Sequence, residues 1–394
     1  MKRKIYYIDT NSYGNVHEMF NAASLKSFSL VSSQIKYYAH LSSKKCVCKI
    51  LGEPLNNLSY YSVPFPMESS KVIYVLKLIL TTFYNLLFVI FANRNAILVY
   101  NNNNLLSLKP INFINRIFKK KIIVICHGEL ECLLDENNDG FTKKMLASYF
   151  LNKKIHISNN VFYLVLGDSI LKYIREIVDD EKQKHFVSVD LPCIFNDTYV
   201  HNEFKNDEKI QIGTIGVMAY EKGLEDLLFL DRMFKSSSIN LSITGQIYNG
   251  LEMVAHSNID YPNKRGEFLS RDKLNQRLSR LDYVLFLYSS QSYKLTASGA
   301  LQEAINWDKP IISYKNQYFS YLFNKYGAFG YLVENKEEMV SLFSKIENGD
   351  LSDTFDLRVI KKALSPESIA QEIMKVFDYI DVINMKENKD NSKR

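Results

Sequence analysis

Short apolar runs alternate with longer amphipathic stretches along most of the chain. Residues 4–8 read as a strand, 16–31 as a helix, 46–51 as a second strand and 97–100 as a third that ends in four asparagines. Helix 111–118, buried strand 121–126, helical 141–155, strand 162–166, helix 168–178 and strand 186–189 continue the rhythm. A polar stretch, 195–209, interrupts it. The alternation then restarts with strands 210–215, 240–244, 283–288 and 310–313, interleaved with helices 223–234, 273–281 and 299–306. Strands alternating with helices predict parallel sheets covered on both faces.

The expected fold class is therefore α/β, with two Rossmann-like domains facing a central cleft. The first spans residues 1–195, a linker 196–209 and the second 210–365. A helix over 366–380 would cross back to the first domain, and the charged tail 385–394 is expected to lack fixed structure. A length of 394 residues suits two cores better than one. In such sheets, ligands bind beyond the carboxyl ends of the strands.

Residues 72–92 depart from the pattern. They are apolar apart from Lys77, Thr81, Thr82 and Asn85, and as a helix they would extend about 32 Å, the thickness of a bilayer core. Lys77, Thr81 and Asn85 nevertheless fall at i, i+4 and i+8, one polar stripe. Two readings stand: a buried helix, or an interfacial helix touching a membrane surface. A transmembrane span fits worst, because it would put two sides of one sheet on opposite faces of a bilayer.

Charge and cysteine narrow the partners. Lys and Arg exceed Asp and Glu by 49 to 43, with no dense basic stripe, which disfavours nucleic acid and suits phosphorylated substrates or an anionic leaflet. The five cysteines form no CxxC pair, so neither a disulfide framework nor a metal site is expected. The basic first residues run into a strand rather than an apolar signal core. A cytoplasmic location, peripheral on the inner face of the cell membrane, is the expectation.

Four segments carry candidate chemistry. An apolar strand ends at Gly216, and Lys222-Gly223 opens the next helix, whose unpaired amides and positive end suit a phosphate. Gly245 closes the following strand on the same side. Further on, Lys294 precedes Ser298-Gly299, where the amides of Gly299, Ala300 and Leu301 with the Ser298 hydroxyl would hold a diphosphate, and Glu303 would meet ribose hydroxyls. Ser298 as a plain helix cap and Glu303 as a solvated carboxylate are the blander alternatives. Third, His127 and Glu129 follow strand 121–126: His127 for hydrogen bonding to a sugar, Glu129 as base toward an acceptor hydroxyl. The turn after the first strand, with Gly14, is apt to close over a donor phosphate or hold an acceptor.

Together these segments resemble the family 4 glycosyltransferases, of the capsule and O-antigen type. The family's strand, glycine turn and Lys-Gly pair correspond to Gly216 through Gly223. Its polar loop, helix, Glu-Ala and Pro-led strand correspond to Ser298, Glu303-Ala304 and Lys309-Pro310, and its His after a buried strand to His127. The family's phosphate-binding Arg is Val217 here, so Lys222 must do more, or Lys294 or Arg265 compensate; the first of its paired glutamates is Leu295, which leaves Glu303 alone. The resemblance implies transfer of a sugar from a nucleoside-diphosphate sugar to a glycan or polyprenyl-linked acceptor, with no cofactor and no metal. Two rivals are a non-catalytic transferase-like scaffold, favoured by those two departures, and a sugar-nucleotide 2-epimerase, which would need more cleft carboxylates.

Overall fold

The computed structural model describes residues 3–67, 70–134, 140–195, 209–261, 269–351 and 354–391, with side chains up to residue 385. The chain divides into two compact units. One holds Met1–Ile194 with Leu295–Ala297 and Leu364–Arg394; the other holds Phe195–Lys294 with Ser298–Ala363. The expected linker falls almost wholly outside the described residues.

The first unit is built on a seven-stranded parallel sheet in the order β3-β2-β1-β4-β5-β6-β7. Its strands are β1 (Arg3–Asp9), β2 (Ser32–Ala39), β3 (Leu58–Ser62), β4 (Ala96–Tyr100), β5 (Lys121–Ile125), β6 (Val161–Val165) and β7 (Phe186–Ser188). Central strands β4 and β6, AILVY and VFYLV, are buried at every position, as helices on both faces require. The strand order reverses between β1 and β4, opening a crevice at their carboxyl ends.

The stretch 46–51 is not a strand but the end of helix Leu41–Leu51. His40 caps that helix by accepting the Ser42 amide, and Gly52, at φ +68°, ends it. The second strand lies earlier, in β2, where burial alternates along SSQIKYYA. The last helix, Pro366–Asn391, packs on this first unit and runs past Met385, where the sequence suggested that order would end. Lysine, glutamate and methionine in that stretch are good helix formers. Asp381 is bonded by Arg3 at 2.7 Å and Lys121 at 2.5 Å, while Ile369, Ile373, Phe377 and Ile380 bury one face.

Helix Lys71–Phe91 has the length and hydropathy of a membrane span, yet its polarity is inverted. Of its 21 residues only Lys77, Thr81, Asn85 and Val89 are buried. The polar stripe faces the protein: Lys77 Nζ donates to the Asn11 carbonyl at 2.8 Å, and Asn85 is bonded to Thr10, Asn103 and Ser107. Lys77 also lies over the rings of Tyr13 and Phe65. This is neither a conventional core helix nor a free span, since crossing a bilayer would strip those bonds.

The second unit has a five-stranded parallel sheet in the order β12-β11-β10-β8-β9. Its strands are β8 (Ile210–Met218), β9 (Ile239–Ile247), β10 (Tyr283–Phe286), β11 (Ile311–Tyr314) and β12 (Gly330–Val333). Ile212, Leu227, Ile243, Leu285, Ile312 and Phe343 anchor its core. Here the order reverses between β8 and β10, which again places a crevice at their carboxyl ends.

Candidate functional site

In the first unit the crevice at β1 and β4 is lined by a buried polar network. Asp9, the last residue of β1, is fully buried. Its carboxylate accepts from the Ser12 amide at 3.0 Å, Asn21 Nδ2 at 3.2 Å, and the Asn11 amide and Asn101 Nδ2, each at 3.4 Å. Asn101 also donates to Asn21 Oδ1 at 2.7 Å. With its amide nitrogen so engaged, Asn101 presents Oδ1 to His127, whose Nε2 donates at 3.0 Å. Gly14, at φ +59°, donates its amide to Ser42 Oγ at 2.8 Å and leads to His17, whose ring lies 4.9 Å from that of His127. His17 and Asn102 hold left-handed backbone without being glycine, a costly conformation that concentrates at functional sites.

Burial sets the protonation states. Packing against Phe20 removes the His127 ring from water and pushes its pKa well down, with His17 adding to the effect, so the ring is neutral at pH 7. Held as the Nε2–H tautomer, it offers Nδ1 as a hydrogen-bond acceptor and is a weak base. Glu129 is placed differently from a free base. Its Oε2 accepts from its neighbours' amides, His127 at 2.9 Å and Gly128 at 3.0 Å, while burial raises its pKa.

Burial also lifts Asp9, partly offset by its hydrogen bonds, to about 6 from an ordinary 3.8. Because the folded value stands above the unfolded one, this group contributes stability that is present below pH 3.8 and lost as pH rises through about 6. A shift of this size corresponds to about 3 kcal/mol. The ¹³Cγ resonance of Asp9 should titrate with a midpoint near 6. An ordinary carboxylate midpoint would refute the burial argument.

In the second unit the crevice at β8 and β10 is where the glycine turns and Lys222 singled out in the sequence lie. Gly216, at φ +86°, turns the end of β8 beside the helix Gly299–Asn306: a Cβ built on it would lie 4.0 Å from that of Ala300. Gly245 pairs with Gly216 across β8 and β9, so close that a Cβ would meet the Gly216 carbonyl. Gly223, at φ +82°, abuts Leu287 just past β10. Lys222 is half-buried, its pKa lowered by burial, and its ammonium has no ion pair or hydrogen bond among the described residues.

Ser298 makes no side-chain cap to the helix it precedes, which removes the simple capping explanation. The Leu301 amide is taken by the Ser298 carbonyl at 3.2 Å, so the first-turn donors left facing outward are those of Gly299 and Ala300. Gly299 has an ordinary φ and nothing within 4 Å of where a Cβ would stand. Lys294 Nζ bonds Gln291 Oε1 at 2.6 Å. Arg265 lies outside the described residues.

Glu303 is buried, with one oxygen bonded by Arg271 Nη1 at 2.6 Å and the other without a partner. Arg271 and the Asp9–Asn101 network are the parts that sequence reasoning missed. Arg271 carries no local motif, and the asparagine run after β4 was visible without showing what it bonds. The stacked Tyr288–Tyr293 pair, 4.1 Å apart, with Tyr293 at φ +61°, also borders Ser298. An ammonium without an ion pair and two first-turn helix amides are groups that bind anions, and the half-satisfied carboxylate is an acceptor that a hydroxyl can complete.

No family model matches the chain, and no curated protein sequence matches it. Solved structures do. A lipopolysaccharide outer core galactosyltransferase, WaaB in its apo form, aligns at TM-score 0.56 and 12% identity over 95% of this chain and 99% of its own. The catalytic domain of starch synthase IV from Arabidopsis thaliana, bound to ADP and acarbose, gives 0.62 at 8% identity over 97% and 99%. A trehalose 6-phosphate synthase from Burkholderia multivorans gives 0.59 at 9% over 98% and 100%. These likenesses establish the fold class, the GT-B pair of Rossmann-like domains.

Proposed function

We propose that this protein is a glycosyltransferase, transferring a sugar from a nucleoside-diphosphate sugar to a glycan or lipid-linked glycan in surface polysaccharide synthesis. The observation that carries the reading is Glu303, a buried carboxylate with one oxygen on Arg271 and one left unsatisfied, at the same crevice as the unpaired Lys222. Buried acceptors without partners are rare and costly, and a ribose hydroxyl would complete this one.

Negative charge grows on the diphosphate as the glycosidic bond breaks. Lys222 and the amides of Gly299 and Ala300 would meet it, stabilising the transition state more than the ground state. These charges supply what a metal would, so we propose metal-independent transfer. Neutral His127 would orient a sugar hydroxyl through Nδ1. Glu129 would fix the loop that carries His127 rather than act as base. The runs Gly216–Gly223 and Ser298–Pro310 support a reading as a family 4 enzyme. A polyprenyl-linked acceptor would bring the chain to the cytoplasmic face of the membrane, with residues 72–92 as the contact.

Titration with a panel of nucleoside diphosphates tests the donor site directly. One of them should raise the melting temperature of the wild type, since a ligand of the folded state must stabilise it. Gly299→Ala should melt normally without ligand, because its Cβ enters open space, yet lose at least about tenfold in nucleotide affinity by filling the approach to the helix. Absence of any nucleotide response would refute donor binding and leave the transferase-like scaffold as the better reading.

A further inference from the structure

Two neighbouring helices of the first unit bury polar side chains and leave large apolar ones exposed to solvent. On helix Lys71–Phe91 the exposed residues include Val72, Leu76, Ile79 and Phe83, spaced to form one stripe opposite the buried Lys77, Thr81 and Asn85. Helix Leu108–Phe118, packed beside it, repeats the arrangement in part: Leu108 and Ile111 are buried together with Asn112 and Asn115, and other apolar side chains face out. Asn112 and Asn115 are buried, bonded to the backbone of His156, Ser158 and Lys120, while Phe113 and Ile117 are 66% and 72% exposed. An apolar face of this extent is unusual for a surface that meets only water.

Where both helices end, the surface becomes cationic. A pocket of about 630 Å³ is lined by Arg94, Arg116, Lys119 and Lys121, at the amino-terminal ends of β4 and β5 and so at the opposite edge of the sheet from the His127 network. Lys121 is bonded to Asp381, and the pocket's Glu181 is bonded to His156 at 2.9 Å. Arg94 and Lys119 have no acidic partner among the described residues. Arg94 follows the exposed Phe91 by three residues and Lys119 follows the exposed Ile117 by two, so each cation comes just after the exposed apolar end of a helix.

We propose that these two helices form a docking face for an anionic phospholipid bilayer. Their apolar side chains enter the acyl layer, and Arg94, Arg116 and Lys119 meet lipid phosphates at its edge. An apolar stripe bordered by unpaired cations matches the layering of an acidic leaflet, where each cation near the surface adds to the attraction. The face deepens the membrane-side reading given above, but its geometry and its test are independent of sugar transfer.

Sedimentation of the full chain with vesicles tests it. The wild type binds vesicles of equimolar phosphatidylglycerol and phosphatidylcholine, and binding falls at high salt and on pure phosphatidylcholine. The double variant Ile79→Glu, Phe83→Glu abolishes binding. Arg94→Glu with Lys119→Glu weakens it by at least about tenfold. All four side chains are exposed, so both variants keep the wild-type circular dichroism and melting temperature. Nucleotide-induced stabilisation, read on the same preparations, stays unchanged and separates a failure here from a failure of the donor site. The proposal is overturned if the wild type ignores acidic vesicles, if the charge reversals leave binding intact, or if light scattering shows a dimer that Phe83→Glu dissociates.

Discussion

Lys222→Ala will lower turnover by about 10²- to 10³-fold while leaving the fold as stable as before, or slightly more so. The first half follows from where charge develops. A donor aimed at a leaving group in a water-poor site is worth about 3–4 kcal/mol in the transition state. The second half follows from what Lys222 touches. Its ammonium makes no ion pair or hydrogen bond among the described residues and feels only the charge of its neighbour Glu221, so its removal leaves no buried acceptor unpaired. Burial already depresses its pKa, which means that the folded state disfavours its charge. Activity with the donor that the nucleotide panel selects, and urea unfolding of both proteins, measure the two halves. Lys222→Arg should recover part of the turnover, since a charge at that position is what counts. A large loss of stability with unchanged turnover would make Lys222 structural and remove it from the site.

Gly223→Ala should do the opposite, destabilising the second unit by about 3 kcal/mol or more. Two costs combine. A side chain at φ +82° carries a left-handed penalty of about 1–2 kcal/mol, and the new Cβ would stand 2.4 Å from both the Leu287 carbonyl and its Cβ. Backbone cannot yield as a flexible side chain can. Gly14→Ala is the natural control: at φ +59° it bears the conformational penalty, but nothing lies within 4 Å of the new Cβ. It should cost only about 1 kcal/mol. Equal losses in the two variants, read by urea unfolding, would mean that the close approach of the Lys-Gly turn to Leu287 contributes nothing.

The alternation of strand and helix was legible because fully buried parallel strands such as β4 and β6 are apolar without interruption. Where the reading failed, local preference misled it. The run CVCKIL favours strand by composition, but the His40 cap and Gly52 close it into a helix, and the real second strand hides in the half-polar SSQIKYYA. Helix 71–91 showed its polar stripe plainly. Which face meets the protein is decided by Asn11, Thr10 and Asn103, far away in sequence, and no periodicity contains that. The same limit governs the candidate site. Gly216, Lys222, Ser298 and Glu303 could be picked out by their neighbours in the chain. Arg271 lies 32 residues from the carboxylate it bonds, and Asp9 meets Asn101 across 92.

The final helix gives the first unit a history as well as a shape. Its strands are synthesised first, yet the helix that covers Phe28 and ties down Arg3 and Lys121 through Asp381 emerges only after the whole second unit has been made. A ribosome therefore releases the second unit's complete sequence before the first can close its core. Domains usually mature in the order in which they are translated. Here the amino-terminal half must wait, holding an apolar seam open for the length of the second unit's synthesis, and the stretch from Ile369 to Asp381, made after that unit, is what seals it.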